Sequence, residues 1–120
     1  MAYPYGDYLP TSPLEIILEN RERGLHTLTL LDLDPTGMGE GEQQPMTPKI
    51  AIEVLRSMAA KLDVEVDEWI IVLCSDMGTE DARINVGTAE QISAISEGRI
   101  HCLLIPAKLH ELEASALARW

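Results

Sequence analysis

The stretch Gly24-Leu25-His26-Thr27-Leu28-Thr29-Leu30-Leu31-Asp32-Leu33-Asp34 decides the fold class of this 120-residue chain. A polar helix gives out at Gly24 and an apolar strand begins at once, spanning approximately residues 26–33. Side chains alternate along an extended backbone, so Leu28 and Leu30 point one way while Leu31 and Leu33 point the other. Neither face suits water, which reads as a central strand covered on both sides. Two carboxylates, Asp32 and Asp34, close it.

Upstream, Ser12-Pro13-Leu14-Glu15 announces a helix: serine can cap, proline fits the first helical position, and Glu15 can reach back. Leu14, Ile17 and Leu18 form its apolar face, and Gly24 terminates it. The lead-in before it, residues 1–11, holds two of the seven prolines and reads as extended chain. Downstream, residues 35–46 form a polar loop rich in Gly, Glu and Gln, a solvated connection or, functionally, a mobile flap. Thr47-Pro48 opens a second helix whose stripe is Ala51, Val54 or Leu55, Met58 and Leu62.

Residues 69–74 make a second strand apolar on both faces, broken sharply by Asp76-Met77-Gly78-Thr79. A short strand over 83–87 leads into a helix opened by the capping box Thr88-Ala89-Glu90-Gln91 and running to about residue 95 or 96. Residues 100–105 form a third apolar strand, stopped by Pro106. Leu109, Leu112 and Ala116 then predict the inner stripe of a last helix. Helices and doubly apolar strands thus alternate. The expected architecture is α/β, a mixed sheet of about four to five strands with packed helices, in one domain covering residues 1–120.

Twenty acidic residues against nine basic give a formal charge of −11. With no basic stripe or cationic helix, nucleic acid and anionic membrane are poor partners. The three lysines, Lys49, Lys61 and Lys108, leave an acid-rich surface of the kind suited to high salt. Apolar runs fall short of the roughly 18–20 residues that cross a bilayer, and residues 1–5 do not read as a signal peptide. Cys74 and Cys102 sit in apolar strands and read as free thiols of a reducing cytosol, with a disulfide between neighbouring strands as the alternative.

Chemistry-bearing residues are sparse. Asp32 and Asp34, two apart, project from one face and could approach Mg²⁺, which wants more oxygen ligands than this pair offers; charge at an exposed strand end is the simpler reading, and no metal is expected. His26, His101 and His110 lack the spacing of a triad or a metal site, and His26 and His110 read as structural. Met77, just before Gly78, stands at a strand's carboxyl end, where ligands commonly dock in open α/β sheets. Phosphate-loop, nucleophile-elbow and zinc-protease motifs are absent. Motifs alone suggest a binding module.

Three blocks extend this reading: residues 2–12; Glu19-Asn20-Arg21-Glu22-Arg23-Gly24-Leu25-His26-Thr27-Leu28 through Asp32; and His101-Cys102-Leu103-Leu104-Ile105-Pro106-Ala107-Lys108-Leu109-His110 with Glu113-Ala114. In this order they resemble the carboxyl-terminal half of the diphthine synthase family, archaeal and eukaryotic methyltransferases of the tetrapyrrole-methylase type. The resemblance implies methyl transfer from S-adenosylmethionine to a modified histidine of translation elongation factor 2. The setting it implies is diphthamide biosynthesis by a cytoplasmic homodimer, and the cofactor would lie in a cleft between two α/β domains. By motif position it puts cofactor contacts on Leu31, Met77 and His101, with no residue assigned as general base and none as catalytic. Ala107 departs from the family's usual glycine, and Cys74-Ser75-Asp76 replaces a segment that often carries a basic residue. The resemblance also implies an amino-terminal half, with the Gly-rich cofactor loop, preceding the junction near Met1. A stand-alone binding or dimerisation module derived from such an enzyme is the alternative. A domain lacking its partner is expected to expose apolar surface and self-associate.

Overall fold

The computed structural model describes residues 1–4, 9–32, 45–109 and 111–120. Helix α1 (Ser12–Glu22) leads into strand β1 (Thr27–Leu30), followed by helix α2 (Pro48–Leu62) and the hairpin β2 (Ile71–Ser75) and β3 (Arg83–Gly87). Helix α3 (Ala89–Ser93), strand β4 (His101–Ile105) and helix α4 (Glu111–Leu117) complete the order. The strands form one sheet in the order β1-β4-β2-β3, every pair antiparallel. Among the described residues the α/β character and the four strands are those the sequence predicts, but a mixed sheet is not what forms. Doubly apolar strands are as compatible with antiparallel pairing as with parallel when the connections place their ends side by side.

Alternation divides the sheet into unlike faces. Leu103, Ile105, Ile71 and Leu73 point into the core, where they meet Leu14 and Ile17 of α1, Ile52, Leu55 and Met58 of α2, and Ile92 of α3. The register puts Leu28, Leu104, Val72 and Val86 in one row of the opposite face, and Leu30, Cys102, Cys74 and Ile84 in the next. β1 is therefore not the central strand its composition suggests. It lies at an edge, with Leu28 60% and Leu30 69% exposed, and only Thr29 fully inward. Apolar side chains state what a face prefers, not whether this chain covers it.

The ends of the elements follow local chemistry. Thr47 caps α2 by accepting the Ile50 N–H at 3.2 Å, and the Thr88–Gln91 capping box forms on α3, which stops at Ser93. α1 begins one residue earlier than Ser12-Pro13 suggests: Thr11 is the cap residue, through its backbone alone. Gly24, at φ +73°, closes α1 with Leu25 N–H donating to the Asn20 carbonyl at 2.8 Å. Arg21 ties α1 to the sheet, donating to the Pro106 carbonyl at 2.6 Å while its guanidinium lies 4.2 Å above the Trp69 ring.

The last helix corrects its predicted stripe. Leu112 is 85% exposed, Ala116 is exposed and Leu109 is half-buried. Glu113 and Leu117, four apart, are the partly buried pair instead. A polar link supplies the attachment. His26 Nδ1 accepts the Ala107 N–H at 2.9 Å, which leaves Nε2 to donate to Glu113 Oε2 at 2.6 Å. His26 is structural, as expected; His110, Leu33, Asp34 and residues 35–44 lie outside the described residues.

Candidate functional site

The carboxyl ends of β1 and β2 and the amino end of β4 meet, because β4 runs antiparallel between the other two. A cavity of about 340 Å³ opens there, lined by Leu30, Leu31, Cys74, Met77, Ile100, His101 and Cys102. All three residues that motif position singles out, Leu31, Met77 and His101, border this one space. Leu31 is half-buried, Met77 is exposed and His101 is buried.

The turn after β2 fixes the geometry. Asp76 adopts the left-handed conformation at φ +51°, which aspartate tolerates better than most side chains. Its N–H donates to the Ile100 carbonyl at 2.7 Å, and its carboxylate accepts the Ile100 N–H at 2.9 Å and the Arg99 N–H at 3.2 Å. The Ile100 N–H, chiefly, holds this carboxyl below the usual aspartate range. One residue thus clamps the start of β4 to the end of β2 and sets Met77 beside His101.

His101 is braced from behind, its Nδ1 2.7 Å from Ser75 Oγ in a buried contact. Burial pushes the imidazole below the ordinary histidine range; the Asp76 charge and a hydrogen bond to the Gly98 backbone pull partly the other way. The ring is neutral at neutral pH. Gly98 must be glycine: its φ is +86°, and a Cβ there would stand 2.9 Å from His101 Cε1 and 3.1 Å from Ser75 Cβ. A larger cavity of about 650 Å³ also borders His101, bounded by the start of α2, the segment after α3, Lys49 and Arg99.

Sequence reasoning missed Ser75 and Asp76 as supporting residues. An aspartate at an abrupt strand-to-turn break was the available signal, since it favours positive φ and accepts nearby N–H groups. Nothing local announced Ser75, whose partner is 26 residues away. Asp32 is exposed, and its predicted companion Asp34 lies outside the described residues. Among the described residues no three His, Cys, Asp or Glu side chains are placed to hold a metal ion, and no helix is long and apolar enough to cross a membrane.

Fold and cavity define an antiparallel α/β unit, with α1, α2 and α3 packed on one sheet face and an apolar pocket at the strand ends. Its particular likeness is to diphthine synthases. The chain is 35% identical over 121 residues to the diphthine synthase of Methanoregula boonei and 31% identical over 123 residues to that of Saccharolobus solfataricus. Both matches take in all of this chain and 45% of the relative, so the chain spans about half the length of the curated relatives it matches. The likeness fits their carboxyl-terminal half. A provisionally named diphthine synthase structure from Entamoeba histolytica superposes with a TM-score of 0.88 at 25% identity, covering 99% of this chain and 48% of that one. A second diphthine synthase structure gives 0.78 at 25% identity, covering 98% and 41%. No family model matches the sequence.

Proposed function

We propose that residues 1–120 form the carboxyl-terminal domain of a diphthine synthase and supply one wall of the cleft that binds S-adenosylmethionine. The reaction is methyl transfer to a modified histidine of translation elongation factor 2, in diphthamide biosynthesis. On this reading the enzyme is a cytoplasmic homodimer completed by an amino-terminal domain. The observation that carries the proposal is the convergence of Leu31, Met77 and His101 on one cavity, in a chain similar to diphthine synthases throughout its length.

The residues suit the cofactor. Its adenine is a flat, weakly polar ring that apolar walls accommodate, and it carries no phosphate that would call for a basic cradle. When bound, it supplies an electrophilic methyl group on a sulfonium centre. Leu31 and Met77 give their side of the cavity an apolar lining that a bound adenine would cover. His101, held neutral by burial and fixed by Ser75, offers hydrogen bonding without setting a second positive charge beside the sulfonium. The remaining demand is alignment of the nucleophile, the kind of contribution a rigid cleft makes.

The test is complementation. The 120-residue chain is mixed with the separately produced portion of the Methanoregula boonei enzyme that it does not cover, and transfer of labelled methyl to elongation factor 2 is followed. Restored transfer supports the proposal. Absence of transfer, with both parts folded by circular dichroism, favours the derived binding or dimerisation module, a reading to which the chain's own well-packed core also lends support.

A further inference from the structure

Cys74 and Cys102 face each other directly across the β2–β4 ladder. Opposed residues of an antiparallel pair have Cα atoms about 4.5 or 5.5 Å apart, and either spacing lies within the roughly 4.4–6.8 Å that a disulfide spans. Both thiols are free and half-buried. Leu30 flanks the pair on one side and Ile84 on the other, in the same row of the sheet.

We propose that Cys74 and Cys102 are a reversible dithiol–disulfide pair in the wall of the strand-end cavity, oxidised by small soluble disulfides. One cysteine, as its thiolate, attacks a sulfur of the small disulfide, forming a mixed disulfide and expelling one thiolate. The second cysteine loses its proton and attacks the protein sulfur of that mixed disulfide, which forms the Cys74–Cys102 bond and expels the second thiolate. Two electrons pass from the protein to the small disulfide, which leaves as two thiols. The chain has no third cysteine to compete. Closure draws the sulfurs together and removes both S–H groups from a wall shared with Met77 and His101. The proposal concerns the pair itself and stands whatever the cavity binds.

The experiment exposes the folded 120-residue chain to oxidised glutathione and follows free thiols and intact mass. The expected result is loss of both thiols together, a mass lower by two hydrogens, a crosslinked peptide pair containing Cys74 and Cys102, and full reversal by dithiothreitol. Cys74→Ser and Cys102→Ser should each stop at a single glutathione adduct. A stable glutathione adduct on the unsubstituted chain, a disulfide between two chains, or thiols left unreacted would overturn the proposal.

Discussion

Ser75 Oγ and His101 Nδ1 lie 2.7 Å apart, on residues directly opposite in the β2–β4 ladder and buried from water. The contact keeps a neutral imidazole at the rim of the candidate cleft. It also couples stability to pH. Burial lowers the folded-state pKa of His101, so the unfolded chain takes up the proton first. Its contribution is complete above the unfolded value of about 6.5 and is lost as pH falls toward the folded value. Urea midpoints measured between pH 7.5 and 5 should decline, and His101→Asn should flatten that decline. An unchanged slope in the variant would refute this account.

Asp76 carries a second, more acidic dependence. The Ile100 N–H lowers its carboxyl pKa, so its contribution holds above the ordinary carboxylate range and disappears as pH falls below it. Asp76→Ala removes the acceptors of two N–H groups and forces alanine into the left-handed region. Thermal unfolding should fall clearly for Asp76→Ala and less for Asp76→Asn, which keeps an acceptor and tolerates that backbone. Equal losses would mean that the clamp is not the source of the effect.

The two faces of the sheet should answer differently to the same truncation. Leu73→Ala opens a cavity in the core and should cost about 2–5 kcal/mol. Leu28→Ala removes an exposed side chain and should stay within about 0.5 kcal/mol. Chemical denaturation of both variants checks this directly. The uncovered Leu28 and Leu30 should also drive self-association of the isolated chain, and light scattering at high concentration should show less of it for Leu30→Ser.

Arg21 joins α1 to the segment after β4 by a charged hydrogen bond and by stacking over Trp69. Losing both in Arg21→Ala should cost about 1–3 kcal/mol. Arg21→Lys should recover only part, because an ammonium lacks the planar, multi-donor geometry. Urea unfolding of the two variants tests the ranking.

In the complemented enzyme, Met77→Ala should weaken S-adenosylmethionine binding by about tenfold, the effect of about 1.4 kcal/mol of lost apolar contact. Leu112→Ala, on the outer side of α4, should leave it unchanged. Calorimetric titration separates the two. Equal affinities for Met77→Ala and the unsubstituted protein would move the cofactor away from this cavity.

The sequence by itself determined the local elements, because their signals are short-range. Thr47-Pro48, the Thr88–Gln91 box and Gly24 mark helix ends through hydrogen bonds made within a few residues. It also carried the likeness that brings Leu31, Met77 and His101 forward as a set. Only the tertiary structure decided that β1 lies at an edge, that the pairing is antiparallel, and that Glu113 rather than Leu112 anchors the last helix. Only it paired Ser75 with His101 and Cys74 with Cys102. The physical reason is common to all of these. Hydrophobicity and capping are properties of a residue and its near neighbours, whereas strand order and register are properties of contacts between distant segments, set by packing and chain connection together.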